Sequence, residues 1–180
     1  MSTDETRLVQ RAKEGDPAAF AELYDQYQPA IYRYIFYRVD DTATAEDLTS
    51  EVFVRLVERI DRFTYRGRPL LAWLYTIARN LVTDHHRRAG RSVPLSPDTS
   101  QVADLPDPEE TAEDVFARQR LAAALSCITE DQREVIILKF IQGLNNETVA
   151  QTMGKSVGAI KALQHRALAA LRRVMKPNEG

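Results

Sequence analysis

The stretch that most constrains how this chain folds is Asn146–His165, NETVAQTMGKSVGAIKALQH. It predicts a short helix from Asn146 to about Met153, a tight turn at Gly154 and a second helix from near Val157. A helix-turn-helix needs a small residue where its helices meet, and Ala150 stands there. It needs a turn residue that accepts positive φ, which Gly154 does without steric cost. It also needs inward apolar side chains on both helices, and Val149, Met153, Ile160 and Leu163 have that spacing. Ser156 is a good N-cap for the second helix.

Charge sharpens this reading. On a helix from Val157 to Lys176, the residues Ile160, Leu163, Ala167, Leu171 and Val174 share one face. Lys161, His165, Arg172 and Lys176 gather opposite, flanked by Arg166 and Arg173. No acidic residue occurs from Thr148 to Pro177. One buried stripe and one purely cationic face suit a polyanion. An ordinary solvated bundle helix would mix carboxylates into that face. Turn, core spacing and charge together point to DNA.

The formal net charge of −2 fits poorly with DNA binding until it is mapped along the chain, where positive and negative stretches segregate. Gly and Pro are sparse, and no alternating run is long enough for a sheet, so the expected fold class is all-α. With 180 residues, one large or two small domains are possible. A single cysteine, Cys127, rules out an intrachain disulfide and suits a reducing cytoplasm. No apolar run approaches the roughly twenty residues that span a bilayer, and MSTDETRLVQ lacks a signal-peptide layout. Membrane insertion is therefore not expected.

Taken in order, Ser2-x-x-Glu5 can form a capping box for a helix ending near Gly15, and Asp16-Pro17 opens the next. Phe20, Leu23, Tyr24, Tyr27, Ile31 and Tyr34 read as its aromatic core stripe. Thr42 or Thr44 is expected to cap a helix to about Ile60. Leu48, Val52, Phe53, Leu56, Val57 and Ile60 should be its core, with Asp47, Glu51, Val54 and Glu58 as an opposite ridge. An apolar residue in an acidic rim suits partner docking, although such ridges are commonly just solvated. The loop Phe63–Pro69 combines aromatics with arginines, a mixture able to stack an unpaired base and hold its phosphates. The helix from about Leu70 to Ala89 should bury Leu70, Leu74, Ile77, Ala78 and Leu81, with Trp73 packed beside them. Its outer face carries Arg79, Asn80, Thr83, His86 and Arg87, with Arg88 and Arg91 following.

Asp84-His85-His86 is not expected to bind metal, because adjacent helical histidines diverge and no third ligand is near. Ser92 to about Asp107 reads as an acidic, proline-containing linker and the domain boundary. Asp107-Pro108 is expected to restart helix to about Cys127, with Val115, Leu121, Ala124 and Leu125 inward. Thr129-x-x-Gln132 is a capping box for a helix carrying Val135, Ile136, Leu138 and Phe140, ended by Gly143.

Two helical modules with cationic faces and an acidic linker resemble the extracytoplasmic-function (ECF) class of sigma factors, within the sigma-70 family. Three stretches carry the resemblance: AEDLTSEVFVRL at Ala45–Leu56, LLAWLYTIARNLVTDHHRR at Leu70–Arg88, and the region from Ile128 to Leu168 that begins ITEDQREVIILKF. They occur in order, and the resemblance they anchor covers nearly the whole chain. The resemblance implies a sigma factor that directs promoter-specific initiation and is not an enzyme, with no cofactor and no metal. Residues 1–91 would bind core polymerase and the −10 element, 92–107 would be the linker, and 108–180 would read the −35 element.

The same resemblance implies roles for particular residues. Asp47, Leu48, Glu51, Val54, Arg55 and Glu58 would dock on core RNA polymerase, on the β′ clamp helices. Phe63, Tyr65 and Arg66 would hold a base flipped from the −10 strand, with Arg79, Asn80, Thr83, His86, Arg87 and Arg88 on adjoining DNA. Lys155, Ser156, Lys161, Ala162, His165 and Arg166 would face the −35 element. Further implied partners are the polymerase β flap and an anti-sigma factor, with a cytoplasmic location on the nucleoid through polymerase. Two positions depart from many relatives. Arg66-Gly67-Arg68-Pro69 lacks an acidic or small residue after its glycine, and Leu163-Gln164 stands where Arg and an aliphatic residue are common. The rival readings are a stand-alone helix-turn-helix regulator, which leaves the second cationic helix unused, and a nuclease built on Asp84, His85 and His86, which lacks paired carboxylates.

Overall fold

The computed structural model describes residues 3–66, 68–90 and 109–176. Its regular elements are helical, as the composition predicted: α1 (Thr3–Lys13), α2 (Pro17–Arg38), α3 (Thr42–Arg59), α4 (Leu70–Ala89), α5 (Ala112–Leu125), α6 (Glu130–Ile136), α7 (Asn146–Met153) and α8 (Val157–Met175). A single 3-10 turn, Ile60–Arg62, follows α3, and a π turn, Ile137–Ile141, follows α6. Ser2 of the expected first capping box, Gly67, Arg91, the expected linker and Asp107-Pro108 lie outside the described residues. The chain forms two compact units, Met1–Ile35 with Ala43–Pro94, and Phe36–Thr42 with Leu95–Gly180.

In the first unit, α1 ends at Gly15, whose φ of +83° is open to a residue without Cβ. There the Gly15 N–H reaches the Ala12 carbonyl and the Asp16 N–H reaches Arg11, at 3.0 and 3.1 Å, the paired bonds of a Schellman stop. Asp16 then begins α2, its carboxylate accepting from Ala18 N at 3.0 Å ahead of Pro17. The Asp16 carboxyl sits below the ordinary carboxylate range, chiefly because the Arg11 side chain donates to it. Along α2, Leu23, Tyr27, Ile31 and Tyr34 are buried as the spacing predicted, while Tyr24 remains 45 % exposed. Tyr24 meets Phe53 of α3 edge-on at 4.9 Å, and Tyr34 meets Tyr75 of α4 at 5.5 Å. These contacts tie the three long helices together.

Two expectations for α3 need correcting. The helix starts at Thr42 itself, so the cap position falls to Asp41. Val57 is 53 % exposed, beside Val54 at 48 %; the apolar arc of α3 is wider than the surface its neighbours cover. Val52, Phe53, Leu56 and Ile60 do form core, and Leu48 is half-buried.

In the second unit, α5 begins at Thr111, which shares a capping box with Asp114, rather than at Asp107-Pro108. The Asp114 carboxyl is held below its ordinary value by the Thr111 hydroxyl and N–H that donate to it. Thr129 and Gln132 form the predicted box at α6. Among the described residues of this unit, three charged side chains are buried, Arg38, Arg133 and Glu134. Arg133 donates to the Tyr37 carbonyl and Arg38 pairs with Glu130 at 3.1 Å and Glu134 at 3.7 Å. Burial pushes the Arg133 guanidinium below its ordinary pKa, with Asp40 and Glu130 opposing. Such charges are tolerated inside only when paired.

Val135, Ile136 and Leu138 are core, but Phe140 is 51 % exposed. The helix expected there widens into the π turn, which changes the angular phase of the residues after Ile137. Among the described residues, no helix is long and apolar enough to cross a membrane.

Candidate nucleic-acid interface

The helix-turn-helix is built by short-range signals. The Asn145 side chain accepts from Thr148 N at 2.8 Å to start α7. Gly154 stops it in the left-handed region, φ +66°, with the Lys155 N–H on the Ala150 carbonyl at 3.0 Å. Ser156 then accepts from Ala159 N at 3.1 Å and starts α8. Val149, Ala150, Met153, Ile160, Leu163 and Ala167 are buried between the helices, as their spacing predicted. Gln164 donates to Asn146 at 2.8 Å, joining the two helices of the motif.

This packing leaves Lys161, Ala162, His165 and Arg166 exposed, with Arg172, Arg173 and Lys176 further along. Residues four apart lie on one helix face, so Lys161 with His165, and Ala162 with Arg166, form adjacent rows. The small Ala162 leaves room for close approach between the cations. Lys155 and Ser156 are also exposed, although each has a structural partner, Asp131 at 3.3 Å for Lys155 and the α8 backbone for Ser156.

The second cationic surface belongs to α4. Asn80, Arg87 and Arg88 are exposed, and Arg79, Thr83 and His86 are half-buried. Their opposite face, Leu70, Leu74, Ile77, Ala78 and Leu81, is buried as predicted. Arg87 lies 4.0 Å from Asp84, an exposed contact of little energetic consequence. On α3, Asp47, Val54 and Glu58 are exposed, and Glu51 pairs with Arg55 at 3.2 Å, both half-buried. This forms the ridge that the sequence suggested.

The loop before α4 corrects one expectation. Phe63 is only 4 % exposed, packed on Tyr65 at 4.9 Å and Trp73 at 5.1 Å between ring centres. It supports the loop from within and is not available to stack a base. Tyr65 is half-buried and Arg66 exposed. The Tyr65 phenol is pushed up to about 12, first by burial and then by the Glu5 charge. Sequence reasoning missed the residues that hold this loop, Glu5 and Lys13 of α1. Lys13 Nζ donates to the Phe63 carbonyl at 2.6 Å, and Glu5 accepts from Leu70 N at 3.3 Å. Nothing local in the sequence signals either bond.

Residues 23–92 match the family model for Sigma-70 region 2, and residues 124–173 match Sigma-70, region 4. The SigD sigma factor of Mycobacterium tuberculosis is 34 % identical over 92 % of this chain and 81 % of its own length. The chain belongs to the ECF RNA polymerase sigma factors. It is also 45 % identical to the ECF sigma factor BldN of Streptomyces coelicolor across 93 % of its residues, spanning 64 % of BldN. Among solved structures, CnrH, determined in complex with the cytosolic domain of CnrY, matches at TM-score 0.73 and 24 % identity, over 95 % of this chain and 96 % of CnrH; that likeness concerns the fold alone. The sigma factor RpoE of Bartonella quintana, in complex with the anti-sigma factor NepR, matches at TM-score 0.68 and 27 % identity, over 89 % of this chain and 98 % of RpoE.

Proposed function

We propose that this chain directs promoter-specific initiation of transcription. In this reading residues 1–91 carry core-polymerase docking and −10 recognition, residues 92–107 connect, and residues 108–180 carry −35 recognition. One observation carries the reading. A single chain presents two exposed cationic helix surfaces, on α4 and α8, each inside the stretch matched by one sigma-70 region.

Core polymerase supplies the chemistry, and this chain supplies placement. On α8, Lys161, His165 and Arg166 meet bases and phosphates of the −35 major groove. Phosphate contacts make the binding strongly salt-dependent, and each good bidentate base contact adds roughly 1–3 kcal/mol of discrimination. On the first unit, Tyr65 and Arg66 hold an unstacked base, offsetting an unstacking cost of a few kcal/mol, while Arg79, Asn80, Thr83, His86, Arg87 and Arg88 follow the adjoining strand. Tethering two modest sites gives more affinity than either alone. Asp47, Leu48, Glu51, Val54, Arg55 and Glu58 dock on the β′ clamp helices, and the second unit contacts the β flap. The protein works in the cytoplasm, on the nucleoid through polymerase. An anti-sigma factor of the class bound to RpoE is a further partner.

A pull-down on purified core RNA polymerase tests this. The wild type binds, Asp47→Arg/Glu51→Arg does not, and Lys161→Ala/Arg166→Ala binds core but loses −35 recognition. Failure of the wild type to bind core, with tight binding to duplex DNA alone, would replace this reading with a stand-alone helix-turn-helix regulator.

A further inference from the structure

The stretch matched to Sigma-70 region 2 begins at residue 23, so α1 lies outside it, and α1 carries none of the proposed docking or DNA-facing residues. Yet its opposite ends hold the two ends of the loop before α4. Lys13 binds the Phe63 carbonyl where the loop leaves the 3-10 turn. Glu5 accepts the first N–H of α4 at Leu70, a helix whose N-cap is Pro69 and has no side-chain cap of its own. Glu5 also receives the Tyr27 hydroxyl of α2, so its carboxylate is itself held in place.

Geometry says what this does to the loop. The two anchoring residues are separated by only about 12 Å along the α1 axis, at 1.5 Å per residue. The chain from Phe63 to Leu70 could reach about 24 Å if extended. Between these two anchors Phe63 is buried, Tyr65 half-buried and Arg66 exposed. A loop fixed in this way avoids the ordering cost of closing on a single strand.

We propose that α1 is the positioning element of the −10 loop, Lys13 and Glu5 setting its path so that Tyr65, Arg66 and Arg68 are arranged before the strand arrives. This rests on the reading of that loop as the segment facing the opened −10 strand.

The test uses the full chain, free and in holoenzyme, with Lys13→Met and Glu5→Ala. Trypsin reports the loop directly, since it cuts after exposed Arg66 while the Arg68–Pro69 bond resists. Both variants are cleaved after Arg66 several-fold faster than wild type, at temperatures where near-ultraviolet circular dichroism shows the fold intact. In saturating holoenzyme, permanganate reactivity of unpaired thymines then appears about tenfold more slowly, the worth of one hydrogen bond to a charged group. Affinity for core and for −35 duplex is unchanged. Lys13→Arg restores both cleavage resistance and opening, which a purely structural loss would not predict. If Glu5→Ala unfolds, Glu5→Gln and Lys13→Met carry the experiment. Unchanged cleavage, or faster cleavage with normal opening, overturns the proposal. A wild-type holoenzyme that opens no promoter overturns the sigma reading and this role with it, whereas normal wild-type opening with unaffected variants overturns this role alone.

Discussion

Helix α8 starts where the Ser156 hydroxyl takes the Ala159 N–H, two residues after a glycine that stops the helix before it. Helix α4 starts after Pro69, which offers no such side chain, and its first N–H is satisfied by Glu5, 65 residues earlier. Both helices present cations outward and bury an apolar stripe. One is aimed by its immediate neighbours in sequence, the other by a different helix. A locally capped element keeps its direction wherever its unit is carried. A remotely capped one is right only when the surrounding unit is folded, which couples loop geometry to the integrity of that unit.

The largest expected effect falls on the remote side. Phe63→Ala empties a site buried against Tyr65 and Trp73, at a cost of about 3–5 kcal/mol, read from urea unfolding of the full chain. A loss near zero would mean the loop is not integrated into the core, and the contrast with α8 would fail. On the local side, Gly154→Ala forces a Cβ into a left-handed backbone, φ +66°, with no atom near enough to clash. The cost is therefore conformational, about 1–2 kcal/mol, and the same titration should report it alongside weaker −35 binding.

The smallest effect uses pH to separate two kinds of local cap. Asp114 has its folded pKa lowered below the ordinary 3.8 by its bonds to Thr111. Its stabilisation of α5 is thus complete above that value and fades as pH falls through the lower folded value. The Ser156 cap of α8 has no carboxylate and should not change over that range. Amide exchange at the first turns of α5 and α8, followed from pH 5 to pH 2.5 and corrected for intrinsic rates, should show the difference; Asp114→Asn should remove it.

How much was legible in the sequence follows the same division. Asn145–Ser156, Thr129 with Gln132, and the Ile160, Leu163 and Ala167 core of α8 could be read because cap, stop and core residues lie within a few positions of one another; further along the same face Leu171 is half-buried and Val174 is 39 % exposed. The acidic ridge of α3 and the outer face of α4 were likewise visible as periodicity. Phe63 was misread because an aromatic in a loop has the same composition whether it faces a base or Trp73. Val57 was assigned to a core it does not join, because neighbouring helices cover less of α3 than its apolar arc, and the helix expected to run on through Phe140 gives way to a π turn after Ile136. Glu5 and Lys13 left no signal, since each acts on a partner 50 or more residues away.

The π turn at Ile137–Ile141 has a consequence for chain length. Its closing bond runs from Gln142 N–H to the Ile137 carbonyl, five residues back, at 2.9 Å, one residue more than an α turn contains. The segment between α6 and the helix-turn-helix therefore holds spare length. Deleting one residue there lets the turn close as ordinary helix while Gly143, α7 and α8 keep their places. A chain that closes this turn as ordinary α-helix, with one residue fewer, aligns to this one only through a one-residue gap at this point.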